Sequence, residues 1–182
     1  MKKFLFFALV AILTACSSQD KPQLFIEEYS QKLIEQYPNF ESNEIAKNAM
    51  NDSIAKLCES YVGKEASLLK GVHFRFIRLI ENEQKGTHAA LFESVGLFCE
   101  IESEAGGGKY VIGSPVICVL GTPDEQTAAS LSSGEEYFIS GVVHAWDNEF
   151  NDMIHTPVIT PSTINYDLMI MESMTVTKAE KE

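Results

Sequence analysis

The sequence predicts an α+β, mostly β domain in which N-terminal helical segments precede a five-stranded barrel of order β-β-β-α-β-β. Three observations carry this. Apolar residues recur at helical spacing up to about Tyr61 and alternate with polar ones from Ala66 onward. Glycine-rich punctuation separates the alternating runs. A single helix-start signal, Thr122-Pro123-Asp124-Glu125, interrupts the strand series after its third member.

Residues 1–15 stand outside the fold. Lys2 and Lys3 form a basic start, Phe4 to Leu13 an apolar run of ten residues, and Leu13-Thr14-Ala15-Cys16 follows. Ten residues at about 1.5 Å each cannot cross a hydrocarbon core of roughly 30 Å, which disfavours a permanent membrane helix. An ordinary secretory signal would also place small residues at Thr14 and Ala15. The cysteine directly after them resembles the lipobox of bacterial lipoproteins. That resemblance implies cleavage before Cys16, a diacylglyceryl thioether on its sulfur and an amide-linked acyl chain. Two or more chains make a stable anchor where one is marginal. Ser17 stands where a retention aspartate could have stood, so the resemblance places the protein in the cell envelope, at the outer membrane.

Removing residues 1–15 from the 182 leaves 167, enough for one domain with a real core. Two lysines leave with the signal, so the formal charge of −12 becomes −14. Such a chain repels phosphate backbones, and its two arginines, Arg75 and Arg78, cannot clamp an anionic polymer. Nucleic acid is therefore not an expected partner. Cys58, Cys99 and Cys118 remain once Cys16 carries lipid. One disulfide with a spare thiol and three buried free thiols are both consistent with that odd number. No Cys-x-x-Cys or Cys/His spacing suggests zinc, and His88, His144 and His155 show no ligand pattern. Neither a metal nor another cofactor is expected.

In the mature chain, residues 16–21 read as a polar tether and 22–61 as a helical lead-in. Residues 62–177 read as the barrel and 178–182 as a charged, frayed tail. Pro22 opens a helix to about Tyr37, where Pro38-Asn39 ends it. Ser42 or Asn43 caps a second helix, with Ile45, Ala49, Ile54, Leu57, Cys58 and Tyr61 along one stripe. That stripe could bind a partner, but packing on the domain is the commoner use.

Val72, Phe74 and Phe76 alternate with His73, Arg75 and Ile77 as the first strand, which Asn82 to Gly86 turn. Ala89 to Glu104 reads as the second, with Leu97, Cys99 and Ile101 on one face and Phe98, Glu100 and Glu102 on the other. Gly106-Gly107-Gly108 makes a hairpin turn, and Lys109 to Leu120 is the third strand, with Pro115 marking an edge or bulge. In the capping signal Thr122 is the N-cap, Pro123 N1 and Glu125 N3 of a short helix through Leu131. Tyr137, Ile139, Gly141 and Val143 alternate in a fourth strand, and Tyr166 to Val176 reads as the fifth.

Three strands, a short helix and two strands is the order of the OB-fold, a partly open Greek-key barrel. Tyr61-Val62-Gly63-Lys64 before a long strand is similar to the "Y-x-G-K" entry of the tRNA-anticodon-like OB family of exported bacterial proteins. Ala129-Ser130-Leu131-Ser132-Ser133-Gly134-Glu135 into Tyr137-Phe138-Ile139-Ser140-Gly141-Val142-Val143 resembles that family's "L-x-x-G-D, strand, G-x-V" signature, with Glu135 in place of the aspartate. Asn43-Glu44-Ile45-Ala46 resembles its helical lead-in. The likeness spans about Asn43 to Trp146 and implies a fold rather than an activity.

An OB barrel commonly binds through its second and third strands and the loops after strands one and four. Here the latter loop is read as His144 to Pro161, containing Trp146, Asp147, Glu149, Phe150 and His155. Trp146 and Phe150, with His144 and His155, could make a stacking platform with a polar rim, or plug the barrel end. His73 and Arg75 share a strand face and could hold an anion, although cross-strand pairing with Glu100 and Glu102 is the expectation. The leading expectation is a non-enzymatic envelope lipoprotein binding a protein or glycan partner at the membrane surface. An OB-architecture hydrolase or nuclease, and a structural or immunity-type interaction protein using the helical hairpin, are the alternatives.

Overall fold

The computed structural model describes residues 23–82, 87–103, 108–147 and 163–180. Helix α1 is Phe25–Gln36 and α2 is Glu44–Ser60. Strands β1 (His73–Asn82), β2 (Thr87–Val95), β3 (Cys99–Ser103) and β4 (Gly108–Gly121) follow. Helix α3 (Glu125–Ser130) precedes β5 (Glu136–Asp147) and β6 (Thr163–Lys178). The molecule is mostly β, and five of its strands close into a small OB-like barrel. The ring runs β2-β1-β5-β6-β4 and closes by pairing of β4 with β2. All these pairings are antiparallel except β4 with β6.

The strand expected over Ala89 to Glu104 is two strands. Gly96 adopts φ +72, which only glycine accepts freely, and the turn there separates β2 from β3. β3 leaves the ring and pairs with the first half of β4. Pro115 sits where β4 changes antiparallel partner, between Gly108–Gly113 against β3 and Cys118–Gly121 against β2. A missing N–H is tolerated at that crossing, and the Ser94 hydroxyl accepts the amide of Ile117 nearby at 3.0 Å.

Helix starts also differ in detail. α1 begins at Phe25, three residues after Pro22, because Glu27 folds its carboxylate back onto the Leu24 amide at 3.0 Å. Asn43 caps α2 as the sequence suggests, accepting from Ile45 and Ala46. Ile45, placed on the apolar stripe, is instead 82% exposed, and Met50 joins Ile54 and Cys58 in the interior. The cap of α3 is Asp124 rather than Thr122. Its carboxylate accepts from both the amide and hydroxyl of Thr127, which holds its pKa below the usual value. An ionised acceptor suits a helix N-terminus better than a hydroxyl does.

One core unites helices and barrel. Ile26, Leu33 and Ile34 of α1, with Met50 and Ile54 of α2, pack with Phe74, Phe92, Tyr137, Ile139 and Tyr166 from the strands. α3 buries no residue, so the helical pair provides the barrel's helical cover. The Tyr61-Val62-Gly63-Lys64 turn is stitched to β5. Gly63 donates to the Val143 carbonyl at 2.8 Å, and Val143 donates back to Lys64 at 2.9 Å. At the C-terminus, the tail expected to fray from Lys178 is tied for its first residues. Lys178 pairs with Glu135 at 3.2 Å, and the buried Ala179 donates to Glu136 at 2.8 Å. Among the described residues, no helix is long and apolar enough to cross a membrane.

Candidate functional site

A ribbon of polar and aromatic side chains crosses β2, β1 and β5, which lie side by side, on the side of the sheet away from the main core. Antiparallel register sets Arg75 opposite both Glu93 of β2 and Glu136 of β5. Alternation keeps His73 and Arg75 on one face while Phe74 between them, and Val72 just before β1, go to the core. His73 donates through Nδ1 to Glu136 at 2.6 Å, and its ring meets Phe138 edge-on with centroids 4.6 Å apart. Arg75 reaches Glu93 at 3.2 Å. Phe138 and Glu136 both remain open to solvent.

His73 and Arg75 are thus paired, but not with Glu100 and Glu102 as expected. β3 pairs with β4 and does not neighbour β1, so the row beside β1 comes from β2 and β5. Each of these two side chains faces a carboxylate, which works against capture of a free anion. The arrangement suits a macromolecular surface: alternating charges aligned across three strands, with one exposed aromatic ring. Glu93, Glu136 and Phe138 were not read as site residues. Their alternation was visible, but the row they share depends on register.

The expected platform after β5 is divided. His144, Trp146 and Asp147 belong to β5 itself rather than to a loop, because β5 continues to pair with β6 as far as Asp147 opposite Leu168. His144 is exposed. Trp146 donates its indole N–H to the Tyr166 carbonyl at 3.0 Å and packs against the core, so it serves the barrel wall. Phe150 and His155 lie outside the described residues, as does Cys16.

On the face expected to bind, on the second and third barrel strands, the described side chains next to Glu93 are apolar. Leu91, Cys118 and Leu168 are fully buried there with Ile77, Ile80, Leu120 and Ile170 against them. Leu91 lies between Ala90 and Phe92, which both belong to the main core, so this second cluster occupies the opposite side of the sheet.

Two other features carry chemistry. An open groove of about 380 Å³ runs between β1 and α3, lined by Leu79, His88, Pro123, Ala128 and Ala129 among others. At the bulge of β6, Asp167 takes a left-handed φ of +54 and exchanges hydrogen bonds with Asn165. Burial, with a smaller contribution from Asp147, raises its pKa to about 6. All three described cysteines are free and buried, and burial pushes each thiol up to about 12. Among the described residues no three metal-binding side chains converge.

Comparison with models of protein families, with curated proteins and with solved structures finds no match for this chain.

Proposed function

We propose that this protein is a lipid-anchored component of the bacterial cell envelope, its OB-fold domain acting as a non-enzymatic interaction module for a protein or glycan partner. The observation that carries the reading is Leu13-Thr14-Ala15-Cys16 after a basic start and a ten-residue apolar run. Ser17 favours the outer membrane over retention. The OB assignment finds support in the five-strand ring with its parallel β4–β6 pair, and the likeness to the tRNA-anticodon-like family rests on the sequence motifs alone.

The interaction surface is assigned to the ribbon of Glu93, Arg75, Glu136, His73 and Phe138. Glu136, His73 and Arg75 are open to solvent, so a partner can reach them at little desolvation cost, while the mostly buried Glu93 holds Arg75 in place from β2. Phe138 supplies the apolar anchor that productive interfaces need. The reading in which the helical hairpin itself makes the contact is weakened, because Ile26, Leu33, Ile34, Met50 and Ile54 are already committed to the core.

The test is a photo-crosslinking residue placed at position 138 of the lipidated protein in its native envelope. The expected result is one discrete adduct that weakens when His73 is replaced by alanine. A diffuse ladder of adducts indifferent to His73 would contradict the assignment.

A further inference from the structure

Two aromatic side chains stand exposed where the chain enters the fold. Phe25, the first residue of α1, is 42% exposed, and Phe98, in the turn between β2 and β3, is 49% exposed. Seventy-odd positions apart in sequence, they are brought together by Glu27. One carboxylate oxygen accepts the amide of Leu24 at 3.0 Å and the other that of Phe98 at 3.3 Å. Phe25 stacks on Tyr29, with centroids 6.1 Å apart. Phe98 is held between the buried Leu97 and Cys99, and Cys99 donates its thiol to the Glu27 carbonyl at 3.6 Å. The two rings therefore project from fixed backbone.

We infer that this end of the barrel rests on the bilayer, with Phe25 and Phe98 in the interfacial region. The inference depends on the anchor reading of Cys16. Eight peptide units separate Cys16 from Leu24, and at no more than ~3.6 Å each they reach at most about 29 Å. A lipidated Cys16 thus keeps Phe25 within about one leaflet-to-leaflet distance of the headgroups, at high local concentration. Two carboxylates of α1 are partnered among the described residues. Glu28 pairs with Lys32 at 2.7 Å, and the Glu27 carboxylate is occupied by backbone amides. Aromatic rings on such a surface gain from the interface, and they add a second attachment that fixes orientation where acyl chains alone leave the domain free to tumble. The β1–β5 ribbon is then presented in a set direction rather than at random.

The experiment uses the lipidated full chain carrying Phe25→Trp or Phe98→Trp, in phosphatidylcholine vesicles with acyl chains brominated near the glycerol. Emission of the introduced indole, above the Trp146 background of the parent, should fall by roughly twofold relative to unbrominated vesicles. The unsubstituted parent supplies an independent reading: amides around Phe25 and Phe98 should exchange roughly threefold or more slowly on vesicles than in detergent. Acylated, vesicle-bound protein with neither effect overturns this inference and leaves the anchor standing. Emission that follows protein density and not bromination overturns it in favour of a second copy of the chain. Protein that carries no acyl group overturns the anchor reading, and the inference with it.

Discussion

The hydroxyls of Ser30 in α1 and Tyr166 in β6 meet 2.8 Å apart in the interior, and neither residue is exposed to solvent. This contact pins the N-terminal helix onto the closing strand of the barrel. It makes the helical pair part of the domain rather than an appendage.

Tyr166→Phe keeps the ring and removes the hydroxyl, leaving Ser30 without its buried partner. The expected loss is about 1–2 kcal/mol, or a Tm drop of roughly 3–6 °C for a domain of this size. Ser30→Ala should cost a similar amount, and the double variant less than the sum of the two. Thermal and denaturant unfolding measure this. Fully additive losses would show that the two hydroxyls do not act as a pair.

Gly141 and Gly134 both have positive φ, at +149 and +86, but their surroundings differ. A Cβ on Gly141 would overlap the Ser173 carbonyl of the paired strand, whereas one on Gly134 meets nothing within 4 Å. Gly134→Ala should therefore cost only the conformational penalty, about 1–2 kcal/mol. Gly141→Ala must also push β5 from β6 and should exceed about 3 kcal/mol or prevent folding. Equal unfolding midpoints for the two variants would contradict the close approach of β5 to β6.

Asp167 gives the fold a pH dependence whose sign follows from its environment. Its pKa in the native state is about 6, above the ordinary 3.8, because burial and then Asp147 disfavour the charge. The native state therefore binds the proton more tightly than the unfolded chain does. Its contribution to stability is full below about pH 3.8 and is lost as the pH rises through about 6. Asp167→Asn removes that titration, and asparagine tolerates the left-handed conformation. The variant should be more stable than the parent at pH 7.5, with the difference shrinking towards pH 4. Parallel stability curves across this range would rule out Asp167 as the source.

Cys58, Cys99 and Cys118 are inert in the native state, since burial removes access and keeps the thiols protonated. A small alkylating reagent at pH 8 should modify none of them in folded protein and all three in denaturant. Rapid native labelling of any one would contradict its burial.

Much of the fold was legible in the sequence because it rests on periodicity. Val72 and Phe74 alternate into the core as read, and Asn43 caps α2 through its own side chain. What was misread depends on partners distant in sequence. The core-facing positions pass from Ala90, Phe92 and Ser94 to Leu97 and Cys99, a change of phase at Gly96 that a single strand over 89–104 does not accommodate. Thr122 and Asp124 are both good cap residues two positions apart, and the helix took the one that could ionise. At the candidate site, His73 and Arg75 were visible as a shared face, but Glu136, Glu93 and Phe138 join them only through the β2-β1-β5 order. Trp146 was singled out for a loop that proved to be strand, because ladder pairing to β6 continues past the point where the alternation fades.

Intact mass and N-terminal peptide analysis of the protein recovered from its native membrane fraction tests the lipid anchor. The expected result is a chain beginning at Cys16, carrying a diacylglyceryl thioether and an amide-linked acyl chain, with Cys16→Ser losing both the lipid and the membrane association. A chain with residues 1–15 retained, or with an unmodified Cys16 in the soluble fraction, would contradict it.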